Sequence, residues 1–194
     1  KTYLRCLPGL DLSKVQEKFV IFSRPRAGST LLVELLNSSD RVHCDGELFN
    51  RAPLFPALYP RARAVLHRDR VYGFKILSYQ LLQVLPPRHS QSILPGLYDS
   101  GFKIIHLRRE DILRQEISRL YAVHRKQFHT RQGPDDRLTR FCIDIPELMA
   151  GLEATEKNTA WERGLLRDLD FQELSYERDL SNPERHQTTL DCLN

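Results

Sequence analysis

The chain has 194 residues, 41% of them apolar and 28% charged, with a formal net charge of +4. That size and balance suit one globular domain with a sizeable core. The mild basicity admits anionic ligands but is too small to argue for nucleic acid, and no run of about 18 apolar residues is present to span a membrane. No signal-peptide pattern follows Lys1. Cys6, Cys44, Cys142 and Cys192 are far apart and form no CxxC pair. This argues against a zinc site and predicts four reduced thiols in a cytoplasmic protein.

In chain order, the first strand signal is FVIFS at 19–23, a short and nearly continuous apolar run. Residues 30–37 then read as a helix, with Leu31, Leu32, Leu35 and Leu36 on adjoining turns. The stretch 53–70 is rich in proline and arginine and reads as loop or short helix. A second strand, VYGFKIL, follows at 71–77, and a third, FKIIHL, at 102–107. A helix is predicted over 112–123, with Leu113, Ile117, Leu120 and Tyr121 on one face. Residues 124–140 are basic and weakly periodic. Pro146 opens a long helix past Trp161 towards Leu166, and FQELSY at 171–176 is a weaker fourth strand. Short apolar runs alternating with helices predict an α/β fold around a mostly parallel sheet flanked by helices. In such sheets ligands sit beyond the carboxyl ends of the strands.

The segment 19–32, FVIFSRPRAGSTLL, is strand, glycine-bearing loop and helix. This arrangement presents backbone N–H groups, and the positive end of a helix, to an anion. Gly28 permits close approach and a positive φ, Ser29 and Thr30 supply hydroxyls, and Arg26 supplies a fixed charge with a planar fork of donors. Arg24 and Ala27 complete the candidate cradle. A plain reading remains open, in which Gly28 only makes a turn and Ser29 only caps the helix. The Walker pattern is absent, since no Gly-Lys-Ser/Thr occurs in the chain.

A second anchor is IIHLRREDILRQEIS at 104–118, a strand ending in Arg108-Arg109 with Ser118 about two turns into the next helix. Paired arginines at a strand end are costly to bury without an anionic partner. Together the two stretches resemble the sulfotransferases that use 3′-phosphoadenosine 5′-phosphosulfate. Pro25-Arg26-Ala27-Gly28-Ser29-Thr30 fits that family's P-[KR]-x-G-[ST]-[ST] loop, and LRRED-x-LRQ-x-x-S is most similar to its bacterial branch, which includes trehalose, nodulation-factor and lipopolysaccharide sulfotransferases. LSYERDLSNPE at 174–184 is similar to the tyrosine-acid strand end of that branch.

The resemblance implies one sulfotransferase-like domain over 1–194, with a P-loop-containing three-layer fold. It implies that Arg26 and the N–H groups of residues 27–30 bind the 5′-phosphosulfate. Arg109 and Ser118 would bind the 3′-phosphate, with Arg108 as the alternative arginine. A further basic, glycine-containing loop that covers the cofactor is common near the C-terminus of relatives and is not found up to Asn194, which leaves three readings open: a domain truncated before the loop, a disordered loop, or none. GELF in the CDGELFN stretch resembles the loop whose glutamate takes the acceptor proton, which makes Glu47 the candidate base. Asp45, His43 and His106 are its competitors. Lys75 either contacts the sulfuryl group or points out of the sheet. The implied reaction moves a sulfuryl group to a hydroxyl of a carbohydrate or glycolipid, without a metal, and leaves adenosine 3′,5′-bisphosphate. A homodimer is compatible with it. The alternatives are a P-loop nucleotide kinase or other phosphotransferase, and a non-catalytic binding domain. The segment around Arg125, Lys126 and Arg131 reads by default as a solvated face.

Overall fold

The computed structural model describes residues 15, 17–125 and 141–193. Cys6, Lys126 and Arg131 lie outside them. Five strands form one sheet: β1 (Lys18–Ser23), β2 (Val42–Glu47), β3 (Val71–Leu77), β4 (Lys103–Arg108) and β5 (Phe171–Ser175). Their order is β2-β3-β1-β4-β5, and every neighbouring pair is parallel. The helices, in chain order, are α1 (Ser29–Leu36), α2 (Tyr59–Leu66), α3 (Pro87–Ser90), α4 (Ile93–Tyr98), α5 (Ile112–Arg125), α6 (Ile145–Leu166) and α7 (His186–Leu193). Two π-helical turns, Gln80–Val84 and Tyr176–Leu180, follow β3 and β5.

β1 is the central strand, and its Val20, Ile21 and Phe22 are wholly buried, which explains its unbroken apolar run. Alternate side chains feed two cores. Val20, Phe22, Phe74, Ile76 and Ile104 pack with Ala64 of α2, Leu94 and Leu97 of α4 and Leu166 of α6. On the other face Ile21, Ile105, Leu107 and Leu174 meet Leu32 and Leu36 of α1 and Leu190 of α7. The α/β fold read from the sequence, with a parallel sheet between helices, is therefore what the chain forms. Among the described residues no helix is long and apolar enough to cross a membrane.

The sequence reading predicted four strands, and the fifth is β2. It pairs only with β3, so it is an edge strand, and of its six residues only Cys44 is buried. An edge strand needs no continuous apolar run, and VHCDGE supplies none. β2 also carries a bulge: Asp45 pairs with Phe74 and Glu47 pairs with Lys75, which leaves Gly46 as the extra residue. Residues two apart on a regular strand share a face. The extra residue breaks that rule, so Asp45 lies on the side of Tyr72 and Phe74 while Glu47 joins Lys75 and α1.

Candidate functional site

The loop 24–28 leaves the carboxyl end of β1 and turns directly into α1. Two residues in it adopt left-handed backbone, Gly28 at φ 90° and Arg26 at φ 65°. For a residue with a Cβ this conformation costs on the order of 1–2 kcal/mol, so it persists only where neighbours impose it. The neighbours come from the β4–α5 unit. Gln115 donates to the Pro25 carbonyl at 2.8 Å, and Arg109 Nη1 donates to the Arg26 carbonyl at 3.3 Å. Gly28 is required by packing as well as by φ, because a Cβ there would strike the Tyr176 ring.

No side chain caps the first turn of α1. Its leading N–H groups are therefore open to a ligand. Arg26 Nε donates to Ser118 Oγ at 2.9 Å, across from α5. Burial, and then the charge of Arg109, lower the Arg26 pKa from its usual value. A bound anion would reverse that penalty. Arg109 lies with its guanidinium 4.8 Å from the centre of the Tyr176 ring and its Nε 3.3 Å from Glu177 Oε1. Burial raises the Glu177 pKa, but backbone N–H bonds from residues that include Glu110 and Asp111, with the Arg109 charge, outweigh it and bring the pKa below the usual range.

Glu47, Lys75 and Thr30 lie on the other flank of the loop. Lys75 is 4% exposed. It does not point out to solvent: its Nζ donates to Thr30 Oγ1 at 3.1 Å and is paired with Glu47 Oε1 at 3.3 Å. Glu47 Oε2 accepts from Gln80 Nε2 at 2.9 Å and from the Tyr79 hydroxyl at 3.3 Å. Burial, and then the nearby Glu47 charge, raise the Tyr79 pKa, which keeps the phenol a donor.

The competing candidates are engaged elsewhere. Asp45 accepts two bonds from Arg63, at 2.7 and 2.9 Å, and one from the Tyr72 hydroxyl at 2.8 Å. Burial opposes its ionisation, but these donors prevail and lower its pKa. His43 lies within 3.3 Å of Asp45 and stacks on His67 at 3.8 Å between ring centroids. His106 is buried between Phe22 and Phe171 on the α6 face.

Of the two consecutive arginines, Arg109 reaches the loop, while Arg108 pairs with Glu173 at 3.0 Å and Glu110 at 3.4 Å. Arg24 is turned to the α6 side, where Glu162 holds it bidentately at 2.8–3.0 Å and Thr159 accepts at 2.5 Å. Arg24 and Arg108 both line a cleft of about 520 Å³ with His106, Phe171 and Glu173; Arg109 and Gln115 form the border it shares with the loop. Glu47, Lys75 and Thr30 are not part of its lining.

Gln80, Tyr79 and Gln115 escape the sequence reading, because nothing in their local pattern marks them. Tyr176 and Glu177 are visible there only as part of a resembling strand end. The chain is thus an α/β protein with an open loop between two cationic flanks, each with a carboxylate beside its cation, Glu47 at Lys75 and Glu177 at Arg109. No protein-family model matches it, and no curated protein matches it significantly.

Proposed function

We propose that this protein is a sulfotransferase of the P-loop type. It moves the sulfuryl group of 3′-phosphoadenosine 5′-phosphosulfate to an acceptor hydroxyl, on a carbohydrate or glycolipid. The observation that carries this reading is the row of groups along one loop. A carboxylate and a buried ammonium (Glu47, Lys75) flank it on one side, and Arg26, Ser118 and Arg109 flank it on the other. A donor with anions at both ends needs such a division.

In this reading Arg26 and the first N–H groups of α1 hold the 5′-phosphosulfate. Arg109 and Ser118 hold the 3′-phosphate, and Lys75 meets the sulfuryl oxygens. The acceptor oxygen attacks sulfur in line. The bond from sulfur to the 5′-phosphate oxygen breaks, and its electron pair stays on the phosphate. Glu47 takes the acceptor proton. Preorganised donors around such a centre are each worth about 10²–10³ in rate. The unpaired cysteines Cys44, Cys142 and Cys192 suit a reducing compartment, and a cytoplasmic location belongs to the same proposal.

The test is thermal unfolding with adenosine 3′,5′-bisphosphate, with adenosine 5′-monophosphate, and with ATP plus magnesium. At 100 times its dissociation constant a ligand stabilises by about 2.7 kcal/mol. A shift with the bisphosphate well above that with the monophosphate is expected. A shift only with ATP and magnesium would point to phosphoryl transfer, and no shift at all to a domain that does not bind nucleotide.

A further inference from the structure

Glu47 is held through both of its oxygens, and the two sets of partners differ in kind. Oε2 accepts from Gln80 and Tyr79, whereas Oε1 faces Lys75. Gln80 is fully buried. Its Oε1 accepts the Leu77 N–H at 3.0 Å, and its amide nitrogen also donates to Asn50 Oδ1 at 3.2 Å. One side chain therefore ties the end of β3 to the chain after β2 and to the carboxylate. A buried amide satisfied at both ends has one rotamer and nowhere to go. Lys75 is different: its ammonium is shared between Glu47 and Thr30, at the edge of the anion loop. It can swing to an arriving anion while Gln80 stays.

We infer that Gln80 is a positioning residue for Glu47, which fixes Oε2 and reserves Oε1 for the acceptor proton. The inference rests on the sulfotransferase reading. An anion on the loop draws Lys75 from Oε1. The acceptor hydroxyl then gives its proton to Oε1 as its oxygen bonds to sulfur and the phosphate oxygen departs with the electron pair. A carboxylate free to rotate would offer either oxygen in several orientations, and a misplacement of about 1 Å can cost about 10² in rate.

The experiment compares wild type, Gln80→Met, Glu47→Gln and the double variant. It measures unfolding, calorimetric binding of adenosine 3′,5′-bisphosphate, and release of that product from the phosphosulfate with glycerol as acceptor. Gln80→Met is expected to bind the bisphosphate like wild type and to lose about 10–100-fold in kcat with KM for the donor unchanged. In the Glu47→Gln background the same change is expected to cost less than about twofold, because its effect acts through Glu47. If Gln80→Met does not fold, Gln80→Asn keeps a buried amide but, one methylene shorter, draws its donor away from Glu47, and the same loss and the same non-additivity are expected. Unchanged kcat, or losses that multiply in the double variant, would overturn the role of Gln80 while leaving the sulfotransferase reading intact. Wild-type protein that neither binds the bisphosphate nor releases it would overturn both.

Discussion

Asp45 and Glu47 are two carboxylates on one strand end, two residues apart, and they live in different environments. Asp45 is enclosed by Arg63, Tyr72 and His43 on the α2 side, with every strong neighbour already paired to it. Glu47 lies across the sheet, next to a lysine that also reaches the first turn of α1. The cause is the single extra residue at Gly46, which reverses the facing of everything after it. One carboxylate is consumed in holding an edge strand to a helix. The other is delivered to a loop that has donors to spare.

Four measurements would break or sharpen this contrast. The largest effect is expected from Glu47→Gln, which should retain nucleotide affinity and lose about two orders of magnitude or more in turnover. Unchanged turnover would remove the distinction between the two acids. Next, Arg109→Ala should weaken adenosine 3′,5′-bisphosphate by about 10–100-fold, the range of a charge-assisted hydrogen bond. Adenosine 5′-phosphosulfate should lose much less, and equal losses in titration calorimetry would argue against a 3′-phosphate at Arg109. Asp45→Asn should do the reverse of Glu47→Gln: urea unfolding should show about 2 kcal/mol of lost stability, with nucleotide affinity unchanged.

The smallest effect concerns pH. Burial, with a further contribution from Arg24 and Arg108, lowers the pKa of His106 against the opposing pull of Glu162 and Glu173. Burial first, then His43 and Arg63, lower that of His67. A histidine with a lowered pKa in the folded state is protonated more readily in the unfolded chain. Its contribution is complete above the unfolded value of about 6.5 and is lost as pH falls through the lowered folded value. The melting temperature should therefore drop between pH 7 and pH 5, and His106→Gln should flatten that slope. A slope of the opposite sign would mean that the buried imidazole is charged.

How much of this the sequence could carry follows from distance along the chain. The loop, the strand before it and the helix after it are contiguous, so their pattern is local and readable. β1, β3 and β4 announce themselves because both faces of each are buried. β2 does not, since at a sheet edge a strand may be polar, and its Val42 and Cys44 are too sparse to mark it. The facing of Glu47 depended on a one-residue slip that no periodicity displays. The proximity of Lys75 to both Glu47 and Thr30 is a fact of strand order, β3 beside β1 with β2 outside. Arg24 and Arg26 show the converse: adjacent in pattern and identical in type, they are divided by the left-handed turn at Arg26, one towards Glu162 and one towards Ser118.

The contact between Gly28 and the Tyr176 ring bears on how the molecule is made. Ribosomes add roughly 5–20 residues per second, so the loop emerges on the order of ten seconds before Tyr176 exists. Over that interval α1 is made first and then β3 and β4, the partners of β1, with Arg109 behind them, while the aromatic wall against Gly28 and the carboxylate at Glu177 are still missing. An unfinished chain thus carries the 24–28 loop without the segment that braces it. The brace on the loop, the Tyr176 ring set against Gly28 and stacked on Arg109, therefore closes only after β1 to β4 and α5 have been made.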